Sequence, residues 1–99
     1  TKVPFPTASK DNPRYNPSKY WRGPVWLDQA YFAIMGLNYN GYEDEASKLA
    51  KKIVENIEGS LVEGEVIREN YNPETGEGLH CTNFSWSAGI LYLLCREYL

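Results

Sequence analysis

Apolar residues recur at helical spacing in three stretches of the chain, and they cover different fractions of each predicted helix. The first helix is predicted from residues 23–24 to residues 38–41 and is apolar on every side. The second, at about residues 42–58, has a single apolar stripe, and the third, from residues 83–85 to the end, is again apolar nearly all round. Two concentric rings of helices produce this alternation. We therefore predict an all-α fold with an inner, an outer and an inner helix.

The segments between the predicted helices have little regular structure of their own. Four prolines among residues 1–19 predict a coil that wraps a larger body. Residues 62–67 predict a short extended piece or hairpin that turns at Gly64, and residues 72–78 predict a turn. Three helices alone cannot cover the apolar surface of the two helices that are apolar all round. We therefore interpret residues 1–99 as a single partial domain, whose missing walls come from the rest of a barrel or from self-association.

Composition and charge exclude several classes of protein. The chain has 99 residues, which is one domain at most, and its net charge is −3 with scattered Lys and Arg, which argues against a nucleic-acid surface. No apolar run approaches the roughly 20 residues that span a bilayer, so no membrane segment is expected. His80, Cys81 and Cys95 match no zinc motif, and the acids of residues 72–78 lack the spacing of a calcium loop. We expect no metal and no cofactor, and we expect Cys95 to be buried in its apolar run.

Aromatic residues stand out, with three Trp, eight Tyr and three Phe, many of them beside turn residues. Residues 20–26 (YWRGPVW) and residues 69–84 each lead into a predicted inner helix, so both segments reach the same mouth of a ring of helices. Indole faces, a guanidinium group and a carboxylate at that mouth suit a neutral polyol, because the rings cover its apolar face and the polar groups bind its hydroxyls. The predicted pocket contains Tyr20, Trp21, Arg22, Trp26, Asp28, Gln29, Glu69, Asn70, Tyr71 and Trp86.

The residues alone leave simpler interpretations open. Glu69 is equally compatible with a solvated loop acid, and Arg22 with a structural ion pair. Trp21 and Trp26 are also compatible with anchors of the core.

Three motifs in this order resemble the C-terminal end of glycoside hydrolase family 63. They are YWRGPVW at residues 20–26, ENYNPETG at residues 69–76 and FSWSA at residues 84–88. The resemblance is closest to the bacterial α-glucosidase-like members, which share WLDQ at residues 26–29 and YNP at residues 15–17. It covers roughly residues 13–99.

The resemblance implies an (α/α)6 barrel and a two-carboxylate inverting mechanism in which Glu69 is the general base. Arg22 would then hold Glu69 ionised or orient a hydroxyl, and Trp21 and Trp26 would line the sugar subsite. The general acid of the family is an Asp upstream of these motifs, and Asp28 is not assigned to that role. The isolated chain is therefore expected to hydrolyse nothing, and an aryl α-glucoside turned over by residues 1–99 would contradict this.

Three hypotheses follow for the function. The first is a part of the catalytic domain of an inverting hydrolase of α-glucosides or related oligosaccharides, in the bacterial cytoplasm, the periplasm or outside the cell. The second is a non-catalytic helical carbohydrate-binding or interaction module, and the third is a structural repeat of a solenoid. The third gives no reason for the aromatic and acidic residues at one mouth.

Overall fold

The computed structural model describes residues 1–99, which form three helices and one antiparallel pair of strands. Helix α1 spans Leu27–Tyr39, α2 spans Glu43–Asn56 and α3 spans Ser85–Tyr98. Strands β1 (Arg68–Tyr71) and β2 (Gly78–Thr82) lie between α2 and α3 in the chain. The prediction of an all-α chain with three helices and a short hairpin is confirmed.

The three helices pack against one another around one core. Helix α2 contributes a single buried stripe, as predicted, and its first turn carries three acids that complement the helix dipole. Helices α1 and α3 also leave large apolar side chains in solvent, among them Phe32, Met35 and Tyr92. Such faces are expected of helices that are apolar on most sides. The core consists of Val3, Val25, Leu27, Ala30, Ile34, Ala46, Ala50, Ile53, Ile57, Tyr71 and Leu94.

Helix α1 begins at Leu27, later than the Gly23–Pro24 start that the sequence predicts. The reason is a backbone bridge between Val25 and Tyr71 of β1. The Val25 N–H donates to the Tyr71 carbonyl at 2.8 Å, and the Tyr71 N–H donates to the Val25 carbonyl at 3.0 Å. Both backbone groups of Val25 are thus taken by a strand partner, so residues 20–26, the entry segment, stay outside the helix.

The hairpin lies further along the chain than residues 62–67. Gly64 does turn the chain, with φ of +86°, but the paired strands are β1 and β2, which flank a turn at residues 73–75. The Asn72 side chain sets this turn by accepting the backbone N–H groups of Glu74 at 2.9 Å and Thr75 at 3.3 Å. The prediction of a turn in residues 72–78 is confirmed, and Glu69 therefore lies on a strand instead of in a loop.

The N-terminal coil lies against the hairpin turn and the entry segment. The Val3 N–H donates to the Pro73 carbonyl at 2.9 Å, and the side chain of Val3 is fully buried. The Thr7 N–H donates to the Gly23 carbonyl at 3.2 Å. The coil therefore fixes the entry segment against the hairpin.

The two cysteines of the chain lie outside the core. Cys95 was expected to be buried but is exposed, because only Ser87 and Leu94 of α3 are buried. Cys81 is exposed as well, and both thiols are free.

None of the three helices combines the length and the apolarity that crossing a bilayer requires.

Candidate active site

Glu69 lies on β1 with 8% of its surface exposed. Its Oε1 accepts a hydrogen bond from the Tyr20 hydroxyl, and its Oε2 accepts one from the Cys81 N–H at 3.2 Å. The carbonyl of Glu69 accepts a bond from the Ser87 hydroxyl of α3 at 3.1 Å. The entry segment, β2 and α3 therefore all hold this residue, and no Lys or Arg forms an ion pair with it.

A bulge in the hairpin creates the bond from Cys81. Arg68 pairs with Thr82 and Asn70 pairs with Leu79, so Glu69 faces two residues of β2, His80 and Cys81. His80 has φ of +64°, a left-handed conformation that costs a residue other than glycine roughly 1–2 kcal/mol. Bulges of this kind redirect the groups beside them and are frequent next to active sites.

Hydrogen bonding keeps Glu69 ionised. The hydroxyl of Tyr20 lowers the pKa of Glu69 most strongly. Hydrogen bonds from Cys81 and an electrostatic effect of the nearby His80 lower it further, against the opposing effect of burial. The same bond raises the pKa of Tyr20 to about 12. At neutral pH, Tyr20 thus carries its proton and Glu69 is a carboxylate that is able to accept one.

Arg22 does not hold Glu69 ionised, which is one of the two roles expected of it. Its side chain is exposed and forms no ion pair with any acid of the chain. The lowered pKa of Glu69 results from the Tyr20 hydroxyl in place of a guanidinium group.

Three rings of the entry segment form an aromatic wall, consisting of Tyr20, Trp21 and Trp26. The indoles of Trp21 and Trp26 are stacked with their centroids 4.4 Å apart and their planes 3° from parallel. Tyr20 meets Trp26 at right angles at 4.7 Å, and the Trp26 Nε1–H donates to the Tyr20 carbonyl at 3.0 Å. Trp26 is buried, whereas Trp21 is 59% exposed. The wall thus fixes Tyr20 and presents an indole to solvent.

A groove of about 400 Å³ runs past the exposed indole of Trp21. Trp21 and the side chain of Gln29, in the first turn of α1, form one part of its lining. Residues 5–7 of the N-terminal coil form the other part. An indole face next to an amide and a hydroxyl matches the mixed apolar and polar surface of a sugar ring.

The other predicted pocket residues lie in different surroundings. Tyr71 is fully buried in the core, where its hydroxyl accepts the Arg68 N–H at 3.0 Å. Asp28 is buried except for 8% of its surface, and its carboxylate accepts a bond from Gln29 at 3.1 Å. Trp86 is exposed and stacks near Phe84, with centroids 6.1 Å apart, and no ring of the aromatic wall contacts it. The structure thus brings Tyr20, Trp21, Trp26 and Glu69 together, buries Tyr71 in the core and leaves Trp86 without a ring contact to the aromatic wall.

His80 is a residue that the sequence analysis did not include in the pocket. Its ring meets Tyr20 at 90° with centroids 5.0 Å apart, and its Nδ1 lies 2.7 Å from the Oδ1 of Asn70. Asn70 itself is fully buried. In the sequence, the one indication that His80 lies near the site was its position close to the hairpin turn. The bulge is what brings its ring onto Tyr20.

No cluster of three or more His, Cys, Asp or Glu side chains that could hold a metal is present.

Comparison with known proteins identifies relatives of the whole segment. A family model described as the mannosylglycerate hydrolase MGH1-like glycoside hydrolase domain matches residues 1–87. A mannosylglycerate hydrolase of Rubrobacter radiotolerans is 37% identical over 92% of this chain and 20% of its own length. One from Thermus thermophilus is 34% identical over 93% of this chain and 21% of its own.

A solved structure agrees with these matches. The crystal structure of a family 63 mannosylglycerate hydrolase from Thermus thermophilus, in complex with Tris and D-glycerate, superposes with a TM-score of 0.78. It is 32% identical, and the match covers 97% of this chain and 22% of that one. This chain thus spans about a fifth of the length of the relatives that it matches. It belongs to the family of the mannosylglycerate hydrolase MGH1-like glycoside hydrolase domain, within glycoside hydrolase family 63.

Proposed function

We propose that the full-length gene product is an inverting glycoside hydrolase and that Glu69 is its general base. The supporting observation is the Glu69 carboxylate, which is buried, pairs with no Lys or Arg and is kept ionised mainly by Tyr20 and Cys81. An inverting hydrolase needs such a carboxylate to take a proton from water. The two oxygens of Glu69 together offer about four acceptor sites, so the bonds from Tyr20 and Cys81 leave room for that water.

The general acid is proposed to lie outside residues 1–99. An inverting mechanism places its two carboxyl groups about 6.5–9.5 Å apart, with room for a water between the base and the sugar. Asp28 is the other buried acid of the chain, but its carboxylate is bonded by Gln29 at the start of α1 and is not assigned to this role. We therefore expect purified residues 1–99 to hydrolyse no glycoside.

The names of the relatives suggest the class of substrate. Some relatives are named as mannosylglycerate hydrolases, and another is named as a probable mannosyl-oligosaccharide glucosidase, from Schizosaccharomyces pombe. The latter is 27% identical over 80% of this chain and 11% of its own length. We propose an α-glycoside of glyceric acid as the first substrate to test and an α-glucoside as the alternative. Glycerate carries a carboxylate, and the free guanidinium group of Arg22 beside Trp21 is suited to bind it.

The test of the catalytic role compares two Glu→Gln variants of the full-length gene product. Glu69→Gln should lower kcat by about 10²- to 10⁴-fold, the usual contribution of a general base. Glu74→Gln is the matched control, because Glu74 also accepts a tyrosine hydroxyl but lies at the hairpin turn. The configuration of the first sugar released, followed by NMR, should be inverted. Binding without hydrolysis by the wild type would favour a non-catalytic sugar-binding module instead.

The test of the substrate class uses Arg22→Met. If Arg22 binds the carboxylate of glycerate, this variant should raise KM for mannosylglycerate about tenfold or more and leave KM for a neutral aryl α-glycoside nearly unchanged. An equal rise in KM for both substrates would mean that Arg22 binds the sugar itself. An unchanged KM for both substrates would show that Arg22 does not belong to the binding site.

A further inference from the structure

His80 lies where a glycine would be expected from the backbone alone. Its φ of +64° is in the left-handed region, and its position in the bulge opposite Glu69 requires that conformation. The side chain is nevertheless in use. The imidazole packs edge-to-face with Tyr20 at 5.0 Å and bonds Asn70 at 2.7 Å.

The bond to Asn70 defines the orientation of the imidazole. The Oδ1 of an asparagine can only accept, so the Nδ1 of His80 carries the hydrogen. Because Asn70 is fully buried on β1, this bond ties the imidazole to the strand that carries Glu69. The ring of His80 is therefore held from one side by the strand, and it supports Tyr20 from the other.

Tyr20 is in turn the main donor to Glu69. Its ring is held on one side by Trp26, at 4.7 Å, and on another by His80. Its backbone belongs to the entry segment, where residues 18–23 are bends and turns outside any helix or strand. Trp21 also meets this ring edge-to-face at 5.6 Å, and His80 is the one of the three ring contacts that comes from outside the entry segment.

We propose that His80 is a positioning residue, which holds the Tyr20 hydroxyl on Glu69 and thereby keeps the base ionised and aligned. This inference rests on the proposed function, in which Glu69 is the general base. The groups that face Glu69 are Tyr20 from the entry segment, His80 and Cys81 from β2, and the Ser87 hydroxyl from α3. The guanidinium group of Arg68 points to the His80 carbonyl, to which it donates at 2.8 Å.

The test uses His80→Gly and His80→Asn in the full-length gene product. Both residues tolerate the left-handed backbone, and both lack the imidazole. A merely structural role predicts unchanged or higher stability and unchanged kinetics for His80→Gly. The positioning role predicts that kcat falls about fivefold to tenfold, less than the roughly hundredfold cost of a 1 Å misplacement. It also predicts that the acid limb in the pH profile of kcat/KM moves to higher pH. The reason is that the hydrogen bond from the Tyr20 hydroxyl, which favours the ionised form of Glu69, becomes weaker.

A double-mutant cycle with Tyr20→Phe decides whether His80 acts through Tyr20. In the Tyr20→Phe background, His80→Gly should shift the acid limb much less than it does in the wild type, because the bond that His80 supports is already absent and only the direct electrostatic effect of the imidazole on Glu69 is lost. A full additional shift, or wild-type kcat and pH dependence in both His80 variants, would overturn the proposal. Full activity of Glu69→Gln would reject the proposed function. An inactive Glu69→Gln together with His80 variants that behave like the wild type would reject the role of His80 alone.

Discussion

The chain contains three tyrosine–glutamate pairs, Tyr20–Glu69, Tyr15–Glu74 and Tyr31–Glu97. The first two look alike chemically and lie in different surroundings. Tyr20 donates to Glu69, and Tyr15 donates to Glu74 at 2.8 Å. In both pairs the tyrosine is the main reason that the pKa of the glutamate is lowered, and the pKa of each tyrosine rises to about 12. A lowered carboxyl pKa is therefore not sufficient to identify an active site.

The two pairs differ in what else surrounds the carboxylate. Glu74 lies at the hairpin turn, with a side chain that is 32% exposed and paired with Lys10 at 3.3 Å. Glu69 is buried without a cationic partner, beside a bulge and the aromatic wall. A carboxylate that bonds a lysine in solvent fastens the N-terminal coil to the turn. A carboxylate that is ionised mainly by a hydroxyl and an N–H, next to an exposed indole, is available for a substrate and a water.

The largest effect that separates the two pairs is expected from removing each tyrosine hydroxyl. Tyr20→Phe should lower kcat/KM about tenfold or more at low pH, since a hydrogen bond to a charged group contributes about 1.5 kcal/mol or more. Loss of the donor raises the pKa of Glu69, so the acid limb should move to higher pH. Tyr15→Phe should leave this limb in place, as measured by pH profiles of kcat/KM. Equal shifts in the two variants would remove the distinction between the pairs.

A smaller effect is expected from the two exposed tryptophans. Trp21→Ala should raise KM about threefold to tenfold, because aromatic contacts of this kind contribute about 0.5–1.5 kcal/mol beyond the area that they bury. Trp86 is similarly exposed, at 55%, but lies outside the aromatic wall, so Trp86→Ala should change KM less. Steady-state kinetics of the full-length gene product measure both. A larger effect at Trp86 would support the pocket that the sequence predicts over the one described here.

The smallest effect concerns stability in acid. Both glutamates have lowered pKa values in the folded chain, so each stabilises it above the carboxyl pKa of the unfolded chain, and this contribution is lost as the pH falls through the folded value. Glu69→Gln should therefore lower the midpoint of thermal unfolding at pH 7, with the difference from wild type shrinking towards pH 3. Glu74→Gln should show the same trend more weakly, because solvent screens the exposed pair.

The sequence predicted the helices well and the site only in part, for physical reasons. Helical spacing depends on neighbours three or four residues apart, so it indicated three helices and the stripe of α2. The bridge from Val25 to Tyr71 joins residues 46 positions apart and has no local signal, which is why α1 was predicted to start too early.

The bulge explains the other differences at the site. Glu69 was expected in a loop, and the bulge places it on a strand with Cys81 as a donor. It also brings His80 onto Tyr20, which no spacing in the sequence indicates. The aromatic wall was easier to predict, because Tyr20, Trp21 and Trp26 lie within one short segment whose composition is unusual.

The most direct test of Glu69 as the general base is chemical rescue of Glu69→Ala in the full-length gene product by sodium azide. Removing the carboxylate opens space on the face of the sugar from which water attacks, and azide can attack there without a base. If Glu69 is the general base, azide should restore turnover of an activated aryl α-glycoside by Glu69→Ala, and the product should be the β-glycosyl azide. Glu74→Ala is the control, whose turnover azide should leave unchanged. Wild-type hydrolysis by Glu69→Ala without azide, or an azide product of retained configuration, would contradict this role of Glu69.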